Sequence, residues 1–115
     1  MSLKTQKIGS LFTKEISRIL LEEVKNPKLK FVTITGCEVT NDLSFAKVSF
    51  LTLNREEKDE VEKALNSASN FIEMELSKSI EIRKMPQISF HYDNSVEYGE
   101  NIERKLQELK DENKF

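Results

Sequence analysis

Cysteine is almost missing from this 115-residue chain, and the lone thiol, Cys37, excludes an internal disulfide. That usage suits a reducing cytoplasm. One Cys and one His, His91, are too few for a zinc site, and no metal or other cofactor is expected. Glycine and proline are scarce, at 3 and 2 residues. Gly9, Gly36 and Gly99 stand too far apart for a Walker loop or a GxGxxG turn. No apolar run reaches the roughly 20 residues that a membrane span needs. No signal-peptide core follows Met1-Ser2-Leu3-Lys4. No spacing suggests a Ser/His/Asp group. His91 reads as an exposed or hydrogen-bonded strand residue, and Cys37 as a small core residue. An enzyme is therefore not expected.

The composition is that of a soluble, globular chain, 37% hydrophobic and 33% charged, and its length suits one domain over residues 1–115. The net charge of −2 and pI ≈ 5.6 argue on their own against a nucleic-acid binder. The average hides an asymmetry. Residues 1–30 carry 7 Lys and Arg against 3 Asp and Glu. Residues 31–92 carry 7 against 10, and residues 93–115 carry 4 against 7. A basic front and an acidic rear create a polar field even when the total is small.

The basic front lies on a predicted amphipathic helix over residues 3–24. Ile8, Phe12, Ile16, Ile19, Leu20 and Val24 form its apolar stripe. Lys4, Lys7, Lys14, Arg18 and Lys25 fall within roughly 80° of one another beside that stripe. Such a row is either a solvated face or a set of cations aimed at phosphates. In the second case it supplies affinity and salt dependence but reads no sequence. Glu15 and Glu22 flank the row and weaken it. Asn26-Pro27 is expected to stop the helix, and Lys28 and Lys30 extend the positive patch.

Residues 31–53 read as a hairpin. Val32 and Ile34 share a face, and the apolar phase then slips at Gly36 to Cys37 and Val39, the signature of a bulge. Thr40-Asn41-Asp42-Leu43 supplies the turn. Ala46, Val48 and Phe50 alternate with Lys47 and Ser49 on the return strand. Leu51 and Leu53 suggest that one end of it is covered on both sides.

The rest of the chain is organised around residues 54–92, a long helical segment ending in a strand. Val61, Leu65, Ala68, Ile72 and Leu76 give one apolar face. Asn54 with Glu57 fits a capping box. The weak helix formers Asn66-Ser67-Ala68-Ser69-Asn70 suggest a bend. Residues 87–92 alternate as a strand, with Pro86 at its entrance or edge. Arg83 and Lys84 stand ready to join the positive surface. A strand-helix-strand crossover makes the second and third strands parallel. Asp93-Asn94-Ser95 reads as a turn or cap, and Ile102, Leu106 and Leu109 as a short terminal helix with residues 111–115 frayed.

The resulting order, α-β-β-α-(bend)-α-β, is that of a type II KH-like α+β fold, with a three-stranded sheet, helices on one face and a short C-terminal helix. No two glycines stand three apart, so the GXXG loop that clamps nucleotides in such domains is absent. The chain resembles one family with this fold and no such loop, bacterial ribosome-binding factor A. The resemblance rests on six ordered stretches: residues 22–29, 31–35, 39–48, 65–72, 82–86 and 90–99. It departs from the family at Ala68-Ser69-Asn70, where Ala-x-Gly is usual. Asn70 tolerates a left-handed conformation and can preserve the bend. It departs again at Asn26-Pro27-Lys28, where Asp-Pro-Arg is usual and Lys loses the bidentate fork.

The resemblance implies a non-catalytic, cytoplasmic, monomeric factor that binds the immature small (30S) ribosomal subunit and 16S rRNA. It implies help in late maturation, including 16S 5′-end processing, importance in the cold, and a link to assembly GTPases. The RNA-binding candidates are Lys4, Lys7, Lys14, Arg18, Lys25, Lys28 and Lys30, with Lys47, Arg83 and Lys84. The bend at Ser67, Ala68, Ser69 and Asn70 would present small polar groups to RNA. Two competing readings are an adaptor whose acidic rear docks a basic partner, and a small enzyme using His91 with Asp42 and Asp93.

Overall fold

A computed structural model describes residues 3–95. The first helix, α1 (Leu3–Glu22), is followed by a 3-10 turn (Pro27–Leu29) and the strands β1 (Thr33–Val39) and β2 (Phe45–Leu51). A second 3-10 turn (Arg55–Glu57) leads into α2 (Lys58–Ser67), α3 (Ser69–Ser79) and β3 (Gln87–Tyr92). The sheet has the order β1-β2-β3, with β1 antiparallel and β3 parallel to β2. This is the expected α+β architecture. It also makes the parallel strands adjacent, which sequence alone left open. Residues 96–115, with the stripe of Ile102, Leu106 and Leu109, lie outside the described residues.

The apolar periodicities converge on one side of the sheet. Phe12, Ile16, Ile19 and Leu20 of α1 meet Val61 and Leu65 of α2 and Ile72 and Leu76 of α3. Ala46, Val48 and Phe50 of β2, with Ile88 and Phe90 of β3, supply the sheet's share of the core. Ile8 and Val24 are only partly buried at the two ends of the α1 stripe. The opposite sheet face carries Glu38, Lys47 and Ser89 side by side.

Thr5 and Gly9 are buried in α1 as well. Gly9 is the point of closest approach to β1, because a Cβ there would overlap the Cys37 carbonyl oxygen. Glycine is required by this contact and not by its dihedral angles.

The phase slip is a bulge, with Ile34 opposite Phe50 and Gly36 opposite Ser49, so Thr35 is the extra residue. In the hairpin turn the Thr40 hydroxyl oxygen accepts from the backbone N–H of Ser44 and Phe45, both at 3.1 Å. Asp42 accepts from the Thr40 hydroxyl at 2.8 Å and from the Ser44 N–H at 3.0 Å. These bonds lower the Asp42 pKa to about 2. Leu43 has φ 60°, the one positive φ among the described non-glycine residues.

Four local expectations are corrected. First, α1 ends at Glu22, where the N–H groups of Glu23 and Val24 both bond the Ile19 carbonyl. Asn26-Pro27 therefore does not stop it, and Asn26 instead caps the following 3-10 turn through Lys28 N–H. Second, no capping box forms. The Asn54 side chain makes no capping bond, and its carbonyl accepts from the Thr52 hydroxyl and the Glu57 N–H. Third, the break between α2 and α3 falls on Ala68, inside the expected stretch, at φ −91° and ψ 1°, so no left-handed residue makes it. Asn70 lies inside α3, so its tolerance of the left-handed region is unused. Fourth, Leu53 is 74% exposed, so the end of β2 is not covered on both sides.

Asn66 has a role that its helix propensity does not suggest. Its amide accepts from Phe90 N–H at 2.8 Å and donates to Phe90 C=O at 3.1 Å. Glu73 accepts from Ile88 N–H at 3.3 Å. The outer edge of β3 is thus held by side chains of α2 and α3.

Candidate nucleic-acid interface

The exposed side of α1 follows from its buried one. With Phe12, Ile16 and Ile19 held against the sheet, a period of 3.6 residues turns Lys4, Lys7 and Lys14 to solvent, and Lys25 is exposed in the segment after α1. At about 1.5 Å per residue, Lys4 and Lys14 are roughly 15 Å apart along α1, and Lys25 lies three residues past its end. None of these four lysines, nor Lys30, makes an ion pair with another described residue.

Arg18 sits in the row but is occupied. Its guanidinium donates to Glu15 at 2.9 Å and to Glu22 at 3.3 Å. The hydrogen bonds it donates to these two carboxylates raise its pKa above the ordinary arginine value. Both partners are one helical turn away, so this pairing was readable from the spacing. Lys28 is likewise tied to Glu60 of α2.

The remaining cations divide by element. Arg83, in the segment after α3, shares a surface groove with Lys4 and Lys7 of α1. Lys84 is exposed beside it and donates to the Ser44 hydroxyl at 3.2 Å, while its charge helps to keep Asp42 ionised. Lys25, Lys28 and Lys30 lie near the other end of α1. Lys47 projects from the sheet face opposite the helices, between Glu38 and Ser89, and is not brought together with the α1 row. At the helix break Ser67 and Asn70 are exposed and Ala68 and Ser69 half-buried, with the Ser69 hydroxyl donating to the Asn66 carbonyl.

The groove holds residues that the charge pattern did not point to. Its volume is about 350 Å³, and besides Lys4, Lys7 and Arg83 it is lined by Ile8, Leu11, Leu43, Ile80, Glu81 and Ile82. One signal was available. Leu11 falls within the cationic arc of α1, where an apolar residue has no core to join, and it is 43% exposed.

Cys37 and His91 do not form a reactive pair. Burial pushes the Cys37 thiol up to about 12. His91 lies exposed on β3 and meets the Ser89 hydroxyl at 3.1 Å. Asp93, the partner proposed for catalysis, accepts from the Thr35 hydroxyl and from Ser95. No helix among the described residues is long and apolar enough to cross a membrane.

The fold and sequence have known counterparts. The family model for ribosome-binding factor A matches residues 4–106. Ribosome-binding factor A of Staphylococcus carnosus (strain TM300) is 42% identical over 108 residues, covering 93% of this chain and 94% of the relative. That of Syntrophobacter fumaroxidans is 42% identical over 109 residues, covering 92% and 93%. The crystal structure of ribosome-binding factor A from Thermus thermophilus superposes with a TM-score of 0.68 at 16% identity, over 76% of this chain and 94% of that one. A homology model of the Thermus thermophilus factor, fitted into the cryo-EM map of a 30S complex, gives 0.63 at 17% identity, over 75% and 91%. These two structural likenesses are of fold, whereas the family match spans most of the chain at sequence level. The chain belongs to the ribosome-binding factor A family.

Proposed function

We propose that this protein binds the small ribosomal subunit by laying the exposed face of α1 against rRNA phosphates. Lys4, Lys7 and Lys14 form the row, with Arg83 and Lys84 near one end and Lys25 and Lys30 beyond the other. In this reading the protein assists late maturation of 16S rRNA, including processing at its 5′ end, alongside assembly GTPases. It matters most in the cold and acts as a cytoplasmic monomer without catalysis of its own.

The observation that carries the reading is the set of lysines on one helix face that no described carboxylate neutralises. Cations that no described carboxylate pairs keep their charge for a polyanion and release its counterions on contact. Membership of a family whose relatives carry the name ribosome-binding factor supplies the target.

The test is co-sedimentation with small-subunit precursors and with mature subunits over a range of salt. Association should favour precursors and weaken steeply as salt rises. Association independent of salt, or equal for precursors and mature subunits, would refute the reading.

A further inference from the structure

We infer that the groove between α1, the β1–β2 turn and the segment after α3 holds one unstacked nucleotide of single-stranded RNA. The inference rests on the RNA-binding reading above and adds a site for a base to it. The groove joins two chemistries. It is lined by aliphatic side chains, among them Leu11, Leu43 and Ile82, and by the cations Lys4, Lys7 and Arg83. A nucleotide has the same two parts, an apolar ring face and a phosphate. The one carboxylate present, Glu81, can accept a hydrogen bond from an exocyclic amine of a base.

The charge balance separates this groove from its neighbours. The groove beside Phe31 and Leu53 is apolar too, but its lysine, Lys28, is tied to Glu60 and it also contains Glu57. The groove between Gly9 and Cys37 has no charged lining residue. At the N-terminal end of α1 an apolar lining meets cations that no described carboxylate pairs. At about 350 Å³ the groove lies near the lower end of small-ligand sites. That suits one planar group better than the row of anchors that a docked helix inserts.

Leu43 supplies a second, independent observation. At φ 60° it occupies a turn position where Gly, Asn or Asp is usual, and a leucine there is strained. Its side chain reaches the groove and packs partly against the core. Strained residues of this kind cluster at binding sites, where the side chain has a use. Phosphates on either side of the held nucleotide would follow the row along α1, since Lys14 stands about 10 Å beyond Lys7.

The experiment compares three labelled probes by fluorescence anisotropy: single-stranded octa-adenylate RNA, an abasic ribose-phosphate octamer of equal charge, and an acidic amphipathic helical peptide. The folded protein should bind the RNA at least about fivefold more tightly than the abasic octamer, the lower end of what one base contact contributes. L11S/I82S should remove that preference while leaving abasic binding unchanged. L43G should do the same in a turn that glycine fits without strain. K4Q/R83Q should weaken both octamers together. Equal binding of the two octamers by the wild type, or a preference that survives L11S/I82S, overturns the nucleotide site and leaves the phosphate reading standing. Peptide binding that depends on Leu11 and Ile82, with no base preference, also overturns it and makes the occupant a protein. Failure of both octamers to bind, together with salt-independent sedimentation, removes the RNA-binding reading as well.

Discussion

Gly9 of α1 lies against the carbonyl of Cys37 in β1, with no room for a methyl group between them. The helix is seated on the sheet by this contact. Two effects of opposite sign meet in Gly9→Ala. Alanine favours the helix by about 1 kcal/mol, while overpacking against backbone costs about 1–3 kcal/mol or more. The obstacle is main chain, which yields less than a side chain. Gly9→Ala should therefore destabilise the protein by about 1–2 kcal/mol net, read as a lower midpoint in urea unfolding. A raised midpoint would show that α1 can lift from β1 freely.

Asn66→Ala should cost more than an exposed helix substitution normally does. Alanine is the better helix former, so propensity alone predicts stabilisation. The change strips Phe90 N–H and C=O of their partly buried partner. The expected loss is about 1–3 kcal/mol, measured by thermal or urea unfolding. Hydrogen exchange at Phe90 N–H should accelerate in the variant while that of β1 changes little.

Within the α1 row, the structure predicts unequal effects for equal charges. Lys7→Gln with Lys14→Gln removes two cations that no described carboxylate pairs and should lower the slope of log affinity against log salt for rRNA by about 2. Arg18→Gln removes a cation already bound by Glu15 and Glu22, and should change the slope far less. Titration of subunit precursors at several salt concentrations reads both. A larger effect at Arg18 than at the two lysines together would mean that the guanidinium leaves its carboxylates on binding.

The Cys37 thiol should resist alkylation in the folded protein. Its ordinary value of 9.0 is raised to about 12, chiefly by burial and then by the Glu38 charge. A raised thiol pKa holds the proton in the folded state while the unfolded chain loses it. Stability linked to this group is therefore intact below pH 9 and falls as pH rises from about 9 towards 12. Iodoacetamide labelling at about pH 8, one unit below the ordinary thiol value, should be slow until denaturant is added, as read by mass.

Asp42 titrates in the opposite sense. Bonds from Thr40 and Ser44 hold its carboxylate at about 2, below the usual 3.8. A depressed carboxylate contributes above its unfolded value and stops contributing as pH falls through its folded one. The hairpin turn should keep its pattern of amide shifts down to about pH 3 and lose it near pH 2, as followed by NMR. Asp42→Asn should remove that acid transition.

Sequence carried the parts of this molecule that repeat. The alternation of Ala46, Val48 and Phe50, the helical spacing of Phe12, Ile16 and Ile19, and the slip at Gly36 all report one residue's relation to near neighbours. So does the pairing of Arg18 with Glu15 and Glu22. The parts that were not legible depend on partners far along the chain. Asn66 reads as a poor helix former until Phe90, 24 residues on, is placed beside it. Gly9 is one small residue in a stripe until the Cys37 carbonyl arrives. The end of α1 was displaced from its expected residue because competing backbone hydrogen bonds, which composition does not encode, settle where a helix stops. The groove was not legible for the same reason. Leu11, Leu43 and Ile82 come from three segments, and only their assembly joins them to Lys4, Lys7 and Arg83.

The clasp on β3 also limits how this molecule can be recruited. Many adaptors capture a ligand by letting it zip onto an open sheet as an additional strand. Here such a newcomer would first have to evict two helix-borne side chains from the main chain of Ile88 and Phe90. Along that margin the Phe90 main chain and the Ile88 N–H are already taken, so neither a ligand strand nor another copy can pair there without displacing them.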